Sequence, residues 1–356
     1  MSEITIRRLL CLTTARLRAV GVESPELDAG LLLAQVLDVE RFRLALEPDR
    51  VVGPDSRVEF ERLVALREER RPMAHLLGRV EFWSLTLEVT EATLSPRPET
   101  EMLVEEAARF VRLLDAPVIV DVGTGTGCIP IALALEQPTA SLHAIDLSVD
   151  ALCVARANAA RHGVEARIDF HLGDLLTPLR GHVPPRDADV VISNPPYVRH
   201  DESDDVDPEV LWEPRVAVFC DGDPVHLYEE IARQAGAYVR PGGLLLLELP
   251  GDDPKRVIEA LTALGTWCAI DVHPDLAGKP RCIVVHKGRA ARCRQQRGRR
   301  INRPQVLVSG AVGHEKHLAV RAPSGHQIDR VALSQRHLAA TIHPDHPDRC
   351  VGRAEI

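Results

Sequence analysis

The sequence lacks the marks of a membrane or secreted protein. It has no run of roughly 18 apolar residues, which excludes a transmembrane helix by hydropathy. The first residues lack the apolar core and the small-residue cleavage site of a signal peptide. The eight cysteines form no C-x-x-C pair, which indicates reduced thiols rather than disulfides or a zinc site. These absences predict a cytoplasmic protein with no membrane partner and no bound metal.

Aromatic residues are also scarce, and none occurs after Trp267. Residues 290–356 form an aromatic-free tail with 12 Lys/Arg and 5 Asp/Glu, which we predict to be disordered. Residues 1–289 contain 31 Lys/Arg and 47 Asp/Glu, a net charge of −16. Since an acidic body does not attract a polyanion by its overall field, we expect no direct sequence-specific nucleic-acid binding.

Hydrophobic periodicity divides the rest of the chain into three parts. Residues 1–72 have apolar positions at helical spacing, which predicts a small helical domain. Residues 73–98 include the alternating stretch from Val80 to Val89, which predicts a connecting β-hairpin. In residues 99–289 apolar strands alternate with helices. This alternation predicts an α/β fold with a doubly wound, mainly parallel sheet.

The sequence Asn194-Pro195-Pro196-Tyr197 follows an apolar run that predicts a buried strand. The two prolines stiffen the backbone and supply no N–H. The Asn194 side-chain oxygen and the Pro195 carbonyl can each accept one N–H of a planar –NH2 group, and Tyr197 can stack on that plane. The alternative is a proline-rich turn at the end of a strand. The residue types favour a site that grips a planar amide or amino group.

A glycine-rich loop follows the predicted strand that ends at Val122, and its residues are Gly123, Thr124, Gly125, Thr126 and Gly127. Glycines allow a tight turn and the close approach of a ligand to the backbone. Asp146 ends the next predicted strand, 23 residues after Gly123, where an acid can hydrogen-bond ribose hydroxyls. The loop alone fits either a nucleotide-containing ligand or a simple tight turn.

Two details favour S-adenosylmethionine over a nicotinamide dinucleotide. The spacing is G-x-G-x-G, and Cys128 stands where the dinucleotide fingerprint would have its third glycine. A second polar corner, Gly173-Asp174-Leu175, follows the third predicted strand, where an adenine amino group could be read. The alternative for this corner is an ordinary turn.

With these motifs in this order, the chain resembles the class I S-adenosylmethionine methyltransferases. More narrowly, it resembles the HemK/PrmC family of peptide chain release factor glutamine methyltransferases. The resemblance covers nearly all of residues 5–287 and includes the stretch Ser95-Pro96-Arg97-Pro98-Glu99-Thr100-Glu101, which is specific to this family and its near relatives. The chain departs from the family at His75, often a tyrosine, at Leu175, usually an aromatic residue, and at Glu248-Leu249-Pro250, usually Glu-x-Gly.

The resemblance implies a Rossmann-like methyltransferase sheet and a specific reaction. The methyl group of S-adenosylmethionine would pass to the side-chain amide nitrogen, N5, of a glutamine in a release factor. Asn194, Pro195 and Tyr197 would be catalytic, and with Pro196 they would bind the substrate. The cofactor would contact the glycine loop and four further residues: Asp146, Asp174, Leu175 and Asn194. Residues 1–72 would dock the protein substrate.

The resemblance also places Arg97, Glu99 and Glu101 over the cofactor, near the substrate entrance. The alternative is that the two glutamates only stabilise the N-terminus of the next helix through its dipole. Three other functions remain open at this point. They are an adenine-N6 DNA methyltransferase, which would grip the same kind of –NH2 group, a glutamine methyltransferase acting on a ribosomal protein, and a non-enzymatic module that retains the cofactor pocket.

Overall fold

The computed structural model describes residues 4–184 and 186–288. The predicted disorder of the tail falls on residues outside these ranges. The N-terminal part contains five helices among the described residues: α1 Ile6–Ala19, α2 Pro25–Leu37, α3 Arg41–Leu46, α4 Pro54–Glu68 and α5 Met73–Leu77. Helix α2 begins with Pro25 as its first helical residue, a position where the missing N–H of proline costs no hydrogen bond. These helices surround a buried apolar core that includes Leu17, Leu32 and Phe60.

A β-hairpin follows the helical bundle, with strands β1 Arg79–Phe82 and β2 Leu85–Glu88. Its two turn residues, Trp83 and Ser84, both have positive φ, which is the conformation that matches the twist of a tight hairpin. The hairpin was predicted, but helix α5 was not, because its five residues are too short to show a helical period. Helix α3, with six residues, was missed for the same reason.

The remaining elements form the α/β part. Its helices are α6 Glu101–Val111, α7 Cys128–Glu136, α8 Val149–Arg161, α9 Arg215–Val218, α10 Pro224–Tyr238 and α11 Lys255–Ala263. Its strands are β3 Val118–Val122, β4 Ser141–Asp146, β5 Ile168–Leu172, β6 Ala188–Ser193, β7 Val198–Arg199, β8 Phe219–Cys220, β9 Val239–Glu248, β10 Trp267–Pro274 and β11 Pro280–Lys287. Short 3₁₀ helices lie at Pro98–Thr100, Glu165–Arg167, Thr177–Leu179, His200–Asp205 and Pro208–Trp212.

Seven strands form one sheet in the order β10-β11-β9-β6-β3-β4-β5. Neighbouring strands from β9 to β5 are parallel, and only β11 runs antiparallel to its neighbours. Apolar clusters cover both faces of the sheet, so strand β6 is buried along its whole length. Burial on both faces explains the apolar residues Val190, Val191 and Ile192 at its centre. The predicted doubly wound, mainly parallel sheet is confirmed.

The helical bundle is joined to the segment after β7 by a buried ion network. Arg67 on α4 contacts Asp28 on α2 and Glu209, both at 2.8 Å, and only 7% of its side chain is exposed. Arg70 adds a second contact with Glu209 at 2.6 Å. The indole N–H of Trp212 donates to the carbonyl of Glu69 at 3.1 Å.

None of the helices in residues 4–184 and 186–288 is long and apolar enough to span a membrane.

Candidate active site

Two of the predicted site elements, the glycine loop and Asn194, follow neighbouring strands at the point where the strand order of the sheet reverses. Strands β3 and β6 lie side by side, with Val122 opposite Ser193, and the chain continues outward from them in opposite directions. The Ser193 hydroxyl donates to the Val122 carbonyl at 2.8 Å and ties the two strand ends together. Ligands of open α/β sheets bind at such a switch point, beyond the carboxyl ends of the strands. The glycine loop and Asn194 are therefore neighbours.

The glycine loop has a backbone that only glycine adopts without strain. Gly123, Gly125 and Gly127 have φ values of +77°, +54° and +78°. A Cβ atom at Gly123 or Gly125 would meet nothing within 4 Å, so the loop is open on that side. At Gly127 a Cβ atom would approach the Cβ of Ala155 to 3.1 Å, which explains the close packing of the loop on α8.

Asp146 connects the glycine loop to the end of β4. One carboxylate oxygen accepts the N–H of Gly125 at 2.8 Å, and the other accepts the N–H of Ser148 at 2.9 Å. The backbone carbonyl of Asp146 accepts the N–H of Gly173 at 2.9 Å. A carboxylate has about four lone-pair positions, so Asp146 keeps acceptor capacity for hydroxyl groups of a ligand.

Asp121 and two threonines of the loop carry buried polar atoms that lack well-formed hydrogen bonds. Neither carboxylate oxygen of Asp121 and neither hydroxyl oxygen of Thr124 and Thr126 has a partner with good geometry among the described residues, although the Thr124 hydroxyl is close enough to lower the pKa of Asp121 slightly. Burial raises the pKa of Asp121 to about 7, and the nearby charge of Asp146 adds to this rise. Such groups are rare in folded proteins because each costs free energy. They fit a polar, positively charged ligand that would supply the missing partners.

The corner after β5 adjoins this region through its bond to Asp146. Asp174 is exposed, and its carbonyl accepts the hydroxyl of Thr177 at 2.6 Å. Leu175 is half-buried and has a φ of +48°. Its apolar side chain packs against the core cluster on one face of the sheet. The structure thus brings Asp174 and Leu175 to the same sheet edge as the glycine loop.

Asn194 and Tyr197 lie at the end of β6, and Pro195 between them is buried. The Asn194 side-chain nitrogen donates to the Thr100 hydroxyl at 3.2 Å. Its side-chain oxygen makes no hydrogen bond with any of the described residues. Burial raises the pKa of Tyr197 to about 12, and the nearby Glu248 adds to this rise, so the phenol is neutral. The strand end therefore presents one carboxamide oxygen and one neutral aromatic ring.

Two residues that sequence reasoning missed contact this strand end. The Thr100 hydroxyl donates to Glu248 at 2.7 Å, and both residues are buried. Burial raises the pKa of Glu248 to about 7, and the charge of Glu99 adds to this rise. Glu248 ends β9, the neighbour of β6. The signal for it was an acidic residue at the end of an otherwise apolar strand.

The structure separates the three residues that were predicted over the cofactor. Arg97 donates to Glu213 at 2.5 Å, and Glu213 also accepts the N–H of Ser95 at 3.0 Å. Glu99 lies 3.9 Å from Arg281. Glu101 accepts the N–H of Trp83 at 2.7 Å, so its carboxylate contacts the hairpin turn.

The expected absence of a metal stays a prediction. Within the described ranges, no group of three or more His, Cys, Asp or Glu residues could hold a metal ion. Cys128, at the start of α7, is buried, and burial raises the pKa of its thiol to about 12. A thiol with such a pKa is not a nucleophile near neutral pH.

Comparison with known proteins assigns this arrangement to a class. Residues 100–215 match the family model described as the methyltransferase small domain, and residues 8–78 match the PrmC N-terminal domain. Together with the Rossmann-like sheet and the glycine loop, the first match defines a methyltransferase. Among solved structures, the hMettl16 catalytic domain gives a TM-score of 0.48 at 14% identity, covering 68% of this chain and 84% of that one.

Curated relatives define the family. The release factor glutamine methyltransferase of Cereibacter sphaeroides is 40% identical over 271 residues, which is 75% of this chain and 93% of the relative. The protein of the same description from Deinococcus radiodurans is 38% identical over 283 residues, or 79% and 98% of the two chains. The chain belongs to the family of release factor glutamine methyltransferases.

Proposed function

We propose that this protein transfers the methyl group of S-adenosylmethionine to the side-chain amide nitrogen, N5, of a glutamine in peptide chain release factors. Family membership supports this proposal. The observation that supports it most is the pairing of β3 with β6, because the glycine loop follows one strand end and Asn194 and Pro195 follow the strand end next to it. Two acceptors at one point match the two N–H groups of a primary carboxamide.

The residues after β3 and β4 fit the methyl donor. Asp121 would hold a positively charged part of it, and the hydroxyls of Thr124 and Thr126 would gain hydrogen-bond partners. Asp146 would accept the ribose hydroxyls. The corner at Asp174 and Leu175 would contact the adenine. When bound, S-adenosylmethionine supplies an electrophilic methyl group on a positively charged sulfur.

Asn194 and Pro195 act on the glutamine amide, which is a weak nucleophile because its lone pair is delocalised. Each holds one N–H, and together they direct the nitrogen for in-line displacement. Orientation of this kind can supply about 7–11 kcal/mol of the barrier. As the N–C bond forms and the C–S bond breaks, positive charge develops on nitrogen, which fixed acceptor dipoles favour by about 3 kcal/mol each. One amide proton then leaves to solvent.

Tyr197 would stack on the glutamine amide, and its neutral ring suits that role. Arg97 and Glu99 would lie near the substrate entrance, with Glu213 holding Arg97 in place. The helical bundle would dock the release factor. Action in the cytoplasm and the absence of sequence-specific nucleic-acid binding both stay predictions.

Methyl transfer measured on three substrates side by side tests the proposal. The purified protein is incubated with labelled S-adenosylmethionine and with release factors, ribosomal protein or DNA. We expect label in release factors only, with a gain of one methyl group on a single glutamine by peptide mass spectrometry. A release factor with that glutamine replaced by alanine is the control. Label in DNA or in ribosomal protein alone would overturn the proposal in favour of one of the other two enzymes.

A further inference from the structure

Strand pairing places a buried acid, Glu248, beside Asn194 and Pro195, the two residues proposed to hold the glutamine amide. In the parallel pair of β6 and β9, Ser193 lies opposite Leu247, so the next residues, Asn194 and Glu248, are also neighbours. Thr100, just before α6, lies between their side chains. Both Thr100 and Glu248 are almost completely buried, with 3% and 1% exposure. Neither side chain is free to bind the substrate.

The hydrogen bonds in this cluster have a defined direction. A hydroxyl group has only one hydrogen, and an ionised carboxylate can only accept. The Thr100 hydroxyl therefore donates its one hydrogen to Glu248 at 2.7 Å. Toward Asn194, at 3.2 Å, it can only accept a hydrogen bond. The nitrogen end of the Asn194 amide must face Thr100. The oxygen end is left for the substrate.

This direction matters because the two ends of a carboxamide have nearly the same shape. A rotation of the Asn194 amide by half a turn would present N–H groups to the –NH2 of the substrate, and two donors cannot bond each other. We propose that Thr100 and Glu248 are positioning residues that fix the orientation of the Asn194 amide, so that its oxygen faces the acceptor nitrogen. This inference rests on the proposed function.

Protonation of Glu248 is expected to release this constraint. Burial raises its pKa to about 7, and Glu99 adds to the rise. A protonated Glu248 can donate to Thr100, whose hydrogen is then free to turn toward the Asn194 oxygen. The groups that act on Glu248 from the surrounding elements are Arg97, Glu99, Tyr197, Tyr228, Arg281, Cys128 and Cys282.

The cysteines and tyrosines among those groups are neutral near neutral pH. Burial raises the pKa of Cys128 to about 12 and that of Tyr197 to about 12, and it also raises the pKa of Tyr228 and Cys282. The orientation of Asn194 should therefore follow the charge of Glu248. Turnover is expected to fall as the pH decreases through about 7.

The sequence makes this orientation measurable without any substrate. It has only three asparagines, Asn158, Asn194 and Asn302, so selective 15N labelling gives three pairs of side-chain NH2 signals. Substitution Asn194→Asp identifies the Asn194 pair. Asn158 is buried and bonded to the backbone of Glu88 and Thr126, so its signals report whether each variant is folded.

The test compares Thr100→Val, which removes the hydroxyl, with Thr100→Ser, which keeps it. In the wild type and in Thr100→Ser, the Asn194 signals should shift with a midpoint near pH 7. Thr100→Val and Glu248→Gln should remove that shift while the Asn158 signals stay in place. Asn194 signals that do not titrate in the wild type, or that titrate equally in Thr100→Val, would overturn the proposal.

Kinetics supply the second readout. Thr100→Val should lower kcat at pH 8 by about threefold to tenfold, which is the effect of losing one hydrogen bond, with KM and cofactor Kd within about twofold. Thr100→Ser should restore kcat, and Glu248→Gln should remove the decline of kcat at low pH. A wild type that methylates no glutamine refutes the proposed function, whereas the NMR result separately decides whether Thr100 and Glu248 orient Asn194.

Discussion

The ends of β3 and β6 lie side by side at the switch point, but they differ in whether their buried polar groups are hydrogen-bonded. In β3 and the loop that follows it, the carboxylate of Asp121 and the hydroxyls of Thr124 and Thr126 have no well-formed hydrogen bond within the described part of the chain. After β6, Asn194 belongs to a hydrogen-bonded chain with Thr100 and Glu248. An unpaired buried group costs about 1–3 kcal/mol. A ligand should therefore stabilise the end of β3, whereas the polar groups at the end of β6 are already hydrogen-bonded without a ligand.

The largest effect on activity is expected from a substitution at the end of β6. Asn194→Ala removes one of the two acceptors that hold the glutamine amide, so kcat should fall by about 10²–10³-fold. The Kd of S-adenosylmethionine should change by less than about threefold, because most of the atoms proposed to hold it belong to Asp121, the glycine loop, Asp146 and the corner after β5. Steady-state kinetics and calorimetric titration measure the two quantities. If kcat stays at the wild-type value, Asn194 has no catalytic role.

Asp146→Ala tests the other side of the comparison. It removes the acceptor of the Gly125 and Ser148 N–H groups and the expected acceptor of the ribose hydroxyls. The Kd of S-adenosylmethionine should rise by about 10- to 100-fold, since hydrogen bonds to a charged group contribute about 1.5–3 kcal/mol. Asp146→Asn, which retains one acceptor oxygen, should show a smaller rise. An unchanged Kd in Asp146→Ala would contradict the assignment.

Cofactor binding should also release a proton from Asp121. Its pKa of about 7 means that it is partly protonated at neutral pH, and the ionised form favours a positively charged ligand. Affinity should thus decrease about tenfold from pH 8 to pH 6. Calorimetry in two buffers of different ionisation enthalpy counts the proton. Asp121→Asn is the matched variant, and equal proton counts in both proteins would exclude Asp121 as the source.

The smallest expected effect is on the stability of the free protein. Folding raises the pKa of Asp121 and Glu248 to about 7, so the folded state binds more protons than the unfolded state between about pH 4 and pH 7. This stabilisation is fully present below the unfolded pKa and is lost as the pH rises through 7. The Tm should fall by about 5 °C from pH 6 to pH 8.

Asp121→Asn and Glu248→Gln should each flatten this pH dependence by about half, because an amide does not titrate. Differential scanning calorimetry without cofactor measures the change. A variant with the same pH slope as the wild type would show that its carboxyl ionises normally in the folded protein.

The residues that the sequence predicted are those that follow strands with a clear pattern. Strand β6 is mostly apolar and β3 leads into a loop with three glycines, so Asn194 and the glycine loop could be placed at strand ends. Periodicity does not determine which strands are neighbours. The pairing of β6 with β9 brings Glu248 beside Asn194 from 54 positions further along the chain, and this pairing was not predictable from either strand alone.

Thr100 shows a second reason for failure. It lies between the charged residues Glu99 and Glu101. A threonine just before a helix is typical of an N-cap, so its residue type does not predict a contact with a distant strand. In the structure, the Glu101 carboxylate instead accepts a hydrogen bond from the hairpin turn, and the Thr100 hydroxyl donates to Glu248. Strands β7 and β8, with two residues each, are too short for any periodic signal.

Arg67 also constrains how this chain can vary. It lies between Asp28 of the helical bundle and Glu209 of the segment after β7, and it is almost fully buried. Removing one partner from such a pair costs about 3–5 kcal/mol, since a charge is then left without compensation. A substitution at any one of these three positions should therefore be tolerated only with a compensating change at another, which couples the bundle to the segment after β7.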